Sequence, residues 1–182
     1  MEIKKLSKKE FPKALLELPQ PPKDLWVLGE MPPENLIYLC IVGSRKFTSY
    51  GREACEKIIA GLRGYPIVVV SGLAMGIDAI AHRKALSVGL KAMVFPGSGL
   101  HPSAMYPKTN VQLAKEVVSG GGCLVSEFEP DFKATLWGFP MRNRLMAGIS
   151  KATLVIEAAE RSGTTITARL ATEYNRDLLV VP

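Results

Sequence analysis

Ser71-Gly72-Leu73-Ala74-Met75-Gly76-Ile77-Asp78 joins two runs of different character. Before it, Ile67-Val68-Val69-Val70 is apolar and β-branched, the pattern of a strand buried on both faces. After it, residues 77–86 form an amphipathic segment that reads as a helix. Two glycines at a strand-to-helix turn let the backbone approach a ligand closely and leave N–H groups pointing outward at a helix start. Taken alone, such a turn serves equally as a phosphate cradle or as a tight turn that binds nothing.

Outward from this turn the chain alternates. Strands are expected at 36–42, 67–70, 91–95, 123–125, 153–156 and 178–181. Helices are expected at 51–62, 77–86, 110–118, 142–148 and 165–174. Strand–helix alternation gives a mostly parallel sheet with helices on both faces, an α/β doubly wound fold of the Rossmann type. In such sheets ligands bind outside the carboxyl ends of the strands. The exits at those ends are Gly43-Ser44-Arg45, Ser71-Gly72, Pro96-Gly97-Ser98-Gly99 and Ser126-Glu127, and then Glu157 through Arg161-Ser162-Gly163-Thr164-Thr165. Small hydroxyls, free N–H groups and arginine converging on one edge make an anion site.

Residues 1–35 read as an attached extension to the domain at 36–182. Ser7-Lys8-Lys9-Glu10 has capping-box spacing, 11–18 reads as a short helix limited by Pro12, and Pro19, Pro21 and Pro22 impose an extended linker. The extension carries six lysines and six acids, so the net charge of +6 lies entirely on residues 36–182. A basic excess of this size admits nucleic acid as a partner. No apolar run reaches the roughly 18 residues of a membrane span. The charged start Met1-Glu2-Ile3-Lys4-Lys5 has no apolar region behind it and is not a secretory signal. Cys40, Cys55 and Cys123 are far apart and odd in number, which suits reduced thiols in a cytoplasmic protein. No Cys or His pair has ligand spacing, so neither a metal nor a cofactor is expected.

Arg45 is placed at the mouth of the sheet, where its guanidinium can fork a phosphate. Asp78 and His82 lie four apart and share a helix face. They fit either a carboxylate that orients a histidine or an acidic helix start hydrogen-bonded to a partly buried imidazole. His101 has no evident partner. Phe139-Pro140-Met141-Arg142-Asn143-Arg144 puts two arginines and an asparagine where a helix should begin, with Phe132 and Trp137 in the loop before it. Aromatics beside arginines suit unpaired bases above a phosphate track. Phe139 is expected to plug the core, whereas Phe132 and Trp137 fit either role.

Together these segments resemble the DNA-processing protein A (DprA, or Smf) family. The resemblance rests on Gly43-Ser44-Arg45 with Tyr50-Gly51, Ser71 to Asp78 with Ala81-His82, Gly97-Ser98-Gly99-Leu100 and Tyr106-Pro107 with Asn110. Ser126-Glu127, Phe139-Pro140, Arg142-Asn143-Arg144, Glu157-Ala158 and Ser162-Gly163-Thr164 follow in the same order. The resemblance implies an extended Rossmann fold that binds single-stranded DNA in a basic pocket and forms a homodimer. It also implies that the protein protects incoming strands and helps load RecA recombinase onto them during natural transformation, with no catalysis of its own. Carried over by resemblance, Arg45 and Lys91 line that pocket. The family continues beyond the position of Pro182, so the domain is expected to lack its C-terminal end here.

A competing reading is an enzyme or nucleotide-binding protein of the LOG type, a nucleoside-monophosphate phosphoribohydrolase. Those proteins look like P-G-G-x-G-T-x-x-E at the last glycine turn. Here Thr167 stands at the carboxylate position and the paired glycines are missing, which argues against hydrolysis.

Overall fold

A computed structural model describes residues 2–159 and 162–182. Arg161, which the sequence places in the last strand exit, lies outside the described residues. The strands are β1 (Ile3–Lys5), β2 (Trp26–Gly29), β3 (Ile37–Val42), β4 (Ile67–Ser71), β5 (Lys91–Val94), β6 (Cys123–Ser126), β7 (Ala152–Val155) and β8 (Asp177–Val180). The helices are α1 (Lys13–Leu16), α2 (Ser49–Gly61), α3 (Ile77–Ser87), α4 (Val111–Ser119), α5 (Gly138–Ile149) and α6 (Gly163–Glu173).

All eight strands join one sheet in the order β1-β2-β6-β5-β4-β3-β7-β8. From β6 to β8 every pairing is parallel, whereas β1–β2 and β2–β6 are antiparallel. The chain winds from β3 outward through β4 and β5 to β6, then returns to the other side of β3 to add β7 and β8. This is the doubly wound order that the alternation of segments implies.

Period-two alternation divides the central strands between two layers. Cys40, Val42, Val68, Val70, Met93 and Phe95 face α1 and α5, among Leu15, Leu145 and Met146. Leu39, Ile41 and Val69 face α2 and α3, and Ala92, Val94 and Leu124 face α4. With both faces covered, these strands carry apolar residues at successive positions.

The first thirty residues depart from the sequence reading. They add β1 and β2 to the sheet edge and contribute Phe11, Leu15, Leu18, Leu25 and Val27 to the core beneath α5. Strands of three and four residues are too short to show a period. The helix expected at 11–18 shrinks to the single turn of α1, preceded by a separate 3-10 turn at Lys8–Glu10. Pro12 lies between them and, having no N–H, cannot continue a helical ladder. The capping-box spacing holds in three dimensions, because Ser7 donates both its N–H and its Oγ to the Glu10 carboxylate at 2.8 Å.

α5 starts one turn earlier than expected. Arg142, Asn143 and Arg144 therefore lie inside the helix, and all three are buried.

Candidate nucleic-acid interface

The turn from Ser71 to Asp78 is built against the first strand exit. Gly76 has φ +84°, and a Cβ there would lie 2.3 Å from the Ser44 carbonyl oxygen and 2.7 Å from Arg45 Cα. Only glycine satisfies both the backbone angle and the close approach. Ile77 N–H donates to the same Ser44 oxygen at 3.2 Å, so the β3 and β4 exits form one unit. Leu73 takes φ +62°, uncommon for a side chain of its size. The conformation is held by Asn110, whose Nδ2 donates to Leu73 O at 2.9 Å and Ala74 O at 3.2 Å.

Asp78 closes the turn from within, accepting the N–H groups of Gly72 at 3.1 Å and Ala74 at 3.3 Å. Burial pushes its carboxyl above the ordinary range, opposed by the Arg142 charge and those two amides. It makes no hydrogen bond to His82, so neither the orienting carboxylate nor the bonded imidazole holds, although Asp78 does stand as the acidic residue in the first turn of α3. The His82 ring is fully buried and neither nitrogen makes a well-formed hydrogen bond among the described residues. Burial pulls its pKa down to about 4, against the Ser71 backbone and assisted by the nearby Arg142 charge.

This burial sets an acid limit on the fold. An unfolded imidazole titrates near pH 6.5, so between there and about pH 4 the unfolded chain takes up a proton that the folded one refuses. Stability present above pH 6.5 should fall by roughly 3 kcal/mol across that window and level off below it. Asp78, with its raised pKa, works in the opposite direction at the acid end. Melting temperatures measured from pH 7 to 4 should fall less for His82→Phe than for the native chain. Parallel curves would show that another group is acid-labile.

Arg142 reaches from α5 to two strand ends at once. Its Nη1 donates to the carbonyls of Gly72 and Phe95, and its Nε donates to Asn143 Oδ1 at 2.8 Å. Gly72 makes this possible, since a Cβ there would sit 1.9 Å from Nη1.

Above this network lies a cleft of about 550 Å³. Gly43, Ser44, Arg45 and Lys46 form one wall, and Ser162, Gly163 and Thr164 form another. Phe139, Arg142, Asn143, Met146 and Thr167 line it from α5 and α6, and Asp78 is its one acidic lining residue among those described. The position is the topological switch point, between the exits of β3 and β7 where the winding reverses. α6 begins at Gly163, so its N-terminus opens on the cleft with the partial positive charge of a helix start. Ser162 Oγ is buried without a hydrogen-bond partner among the described residues. Arg45 is exposed, with Cζ 5.8 Å from the Phe139 ring centre, and Arg142 Cζ lies 5.9 Å from the same ring. Gly72, Met75, Tyr106 and Pro107 continue the cleft as a narrow crevice beyond Arg45 and Phe139.

Gly43, Ser44, Arg45, Arg142, Asn143, Ser162, Gly163 and Thr164 thus converge as the sequence suggests, with Gly72 in the adjoining crevice. Other candidates do not join them. Ser71 is fully buried and spends its Oγ on Ile41 O at 2.7 Å. Ser98 is also fully buried, and its Oγ donates to Gly99 O at 3.1 Å. Gly97, with φ +72°, packs against Phe139 below the crevice. Lys91 begins β5, at the opposite end of the sheet from the cleft. Arg144 is committed to a buried bidentate pair with Glu127, at 2.9 and 2.6 Å. Phe132 stacks in a separate aromatic cluster. His101 has a neighbour after all, Asp131, at 3.4 Å.

The sequence reading missed Lys46 and misassigned Phe139, which is only half-buried and forms a cleft wall. The usable signal was position: Lys46 follows Arg45, and Phe139 stands one helical turn before Arg142. Thr167, at the position where the competing LOG-type reading needs a carboxylate, lines the cleft as a buried hydroxyl donating to Gly163 O at 3.3 Å. Among the described residues no three His, Cys, Asp or Glu side chains meet as a metal would need, and no helix is long and apolar enough to cross a membrane.

A model of the family described as DNA recombination-mediator protein A matches residues 2–182. Protein Smf of Escherichia coli is 38% identical over 172 residues, covering 94% of this chain and 46% of that protein. The chain therefore spans about half the length of that relative. The structure of DNA processing protein A from Streptococcus pneumoniae superposes with a TM-score of 0.90 at 35% identity, covering all of this chain and 63% of the other. That of DNA processing protein A from Helicobacter pylori, a study of its single-stranded DNA binding mode, superposes with a TM-score of 0.89 at 30% identity, covering all of this chain and 81% of the other.

Proposed function

Because the chain belongs to the DNA recombination-mediator protein A family, we propose that its strand-end cleft binds single-stranded DNA by the phosphate backbone. The observation that carries this reading is the convergence of Arg45, Lys46, the buried Arg142 and the N-terminus of α6 on one cleft, beside the ring of Phe139. Arg45 forks a phosphate from the rim. The α6 N-terminus and the orphaned Ser162 hydroxyl take a second from below. Arg142 adds fixed positive charge without spending its carbonyl-bound nitrogen. An unpaired base lies against Phe139. Among the described residues nothing in the cleft resembles a helix shaped to read a duplex groove. In the cell the protein acts as a recombination mediator in the cytoplasm, as a homodimer that protects incoming strands and passes them to RecA recombinase during natural transformation.

Titration of oligo-dT and of its duplex with oligo-dA over a range of salt tests this directly. The single strand should bind more tightly, and its affinity should fall with salt by about 0.7 logarithmic units per decade for each phosphate held. Equal or tighter binding of the duplex would defeat the reading.

A further inference from the structure

The loop between β6 and α5 builds a second feature beside the cleft. Phe128 and Phe132 stack with ring centres 4.5 Å apart and planes 20° from parallel. Trp137 stands edge-on to both, at 5.5 and 5.4 Å. Phe128 is buried and Phe132 half-buried, but Trp137 is 55% exposed and its neighbour Leu136 is 90% exposed. Single exposed apolar residues are ordinary. Here, one buried and one half-buried ring orient the exposed one, and the start of α5 is pinned by the Gly138 N–H donating to Thr135 O at 3.1 Å and Oγ1 at 3.2 Å. The indole is therefore held in place and presented to solvent.

Trp137 lies two residues before Phe139, a wall of the cleft, and packs on Phe128 at the β6 exit. The cleft lies over the β3 and β7 exits, and Phe128 follows β6, three strands away in the order β3-β4-β5-β6. At about 4.8 Å per strand the β3 and β6 exits are roughly 14 Å apart, the length of about four stacked nucleotides. The interval is not empty. Phe139, the cleft wall, and Tyr106, in the adjoining crevice, bridge it with ring centres 5.9 Å apart, and Tyr106 is 44% exposed.

We propose that the exposed face of Trp137 is a stacking platform for an unpaired base of the DNA strand as it leaves the cleft along the strand ends. Phe128 and Phe132 support the indole from behind, which gives Phe132 a positioning role rather than the direct DNA contact that the sequence left open. This inference rests on the reading of the cleft as a single-strand site. Continuity with that site favours a nucleobase over an apolar protein segment, since one strand held by its phosphates at Arg45 would carry its bases past Tyr106 to Trp137.

The chain has two tryptophans, Trp26 and Trp137. In a Trp26→Phe background Trp137 alone reports by fluorescence. An oligo-dT of about twelve nucleotides should quench it, and one of about three, which fills only the cleft, should not. Trp137→Ala should weaken the longer strand about five- to a hundredfold and leave the shorter one unchanged. Trp137→Phe should retain most of the affinity, and Leu136→Ala all of it. Two results would overturn the platform while the cleft stands: a longer strand that binds without quenching and is indifferent to Trp137→Ala, or a Trp137→Ala variant that loses both strands equally. Failure of the native chain to bind either strand would remove the cleft reading and this inference with it.

Discussion

Arg142→Met should lower stability by about 3–5 kcal/mol, the range measured when one partner of a buried charged network is removed. For a chain of this size that is a melting-temperature drop of roughly 6–20 °C. Methionine fills a similar volume, so the loss comes from the polar groups left behind. The Gly72 and Phe95 carbonyls lose their donor, and the buried Asp78 carboxyl loses the charge that most opposes its raised pKa. Gly72→Ala supplies an independent check. Its new Cβ would sit 1.9 Å from Arg142 Nη1, so the guanidinium must leave its carbonyls. The two changes should be strongly non-additive, because without the guanidinium the alanine meets no such obstacle. A loss under about 1 kcal/mol for Arg142→Met, or plain additivity with Gly72→Ala, would show that this guanidinium does not tie the strand ends together.

Arg45→Ala should weaken oligo-dT binding roughly ten- to a hundredfold with an unchanged melting temperature. Arg45 is exposed and makes no hydrogen bond among the described residues, so its removal costs the fold little. A hydrogen bond to a charged group is worth about 1.5–3 kcal/mol, which converts to that range of affinity. The salt dependence should flatten by about one phosphate contact. Arg45→Lys should recover part of the loss, since lysine keeps the charge but not the planar fork. Arg63→Ala, just beyond α2 and away from the strand exits, should change binding little. If the Arg45 and Arg63 variants bind alike, the DNA lies elsewhere.

The amino-acid sequence by itself determined the winding. The apolar run before Gly72, and the regular return of such runs with helical segments between them, admit little besides a parallel sheet covered on both faces. Because such sheets open at their carboxyl ends, the same alternation marked Arg45 and Ser162-Gly163-Thr164 as neighbours more than a hundred positions apart in the chain.

Tertiary structure alone decided which polar side chains face the opening. Ser71 and Ser98 stand at the correct strand exits, yet their hydroxyls go to backbone carbonyls inside the fold. Arg142 and Arg144 look alike in sequence, but two helical positions turn a side chain by about 200°. One guanidinium reaches the strand ends, and the other pairs with Glu127. Both sides of α5 are covered by protein, so no polar-to-apolar pattern distinguishes them beforehand. β1 and β2 were illegible for a related reason. β2 pairs with β6, nearly a hundred residues away, and β1 in turn pairs with β2, contacts that three or four residues of local sequence cannot encode.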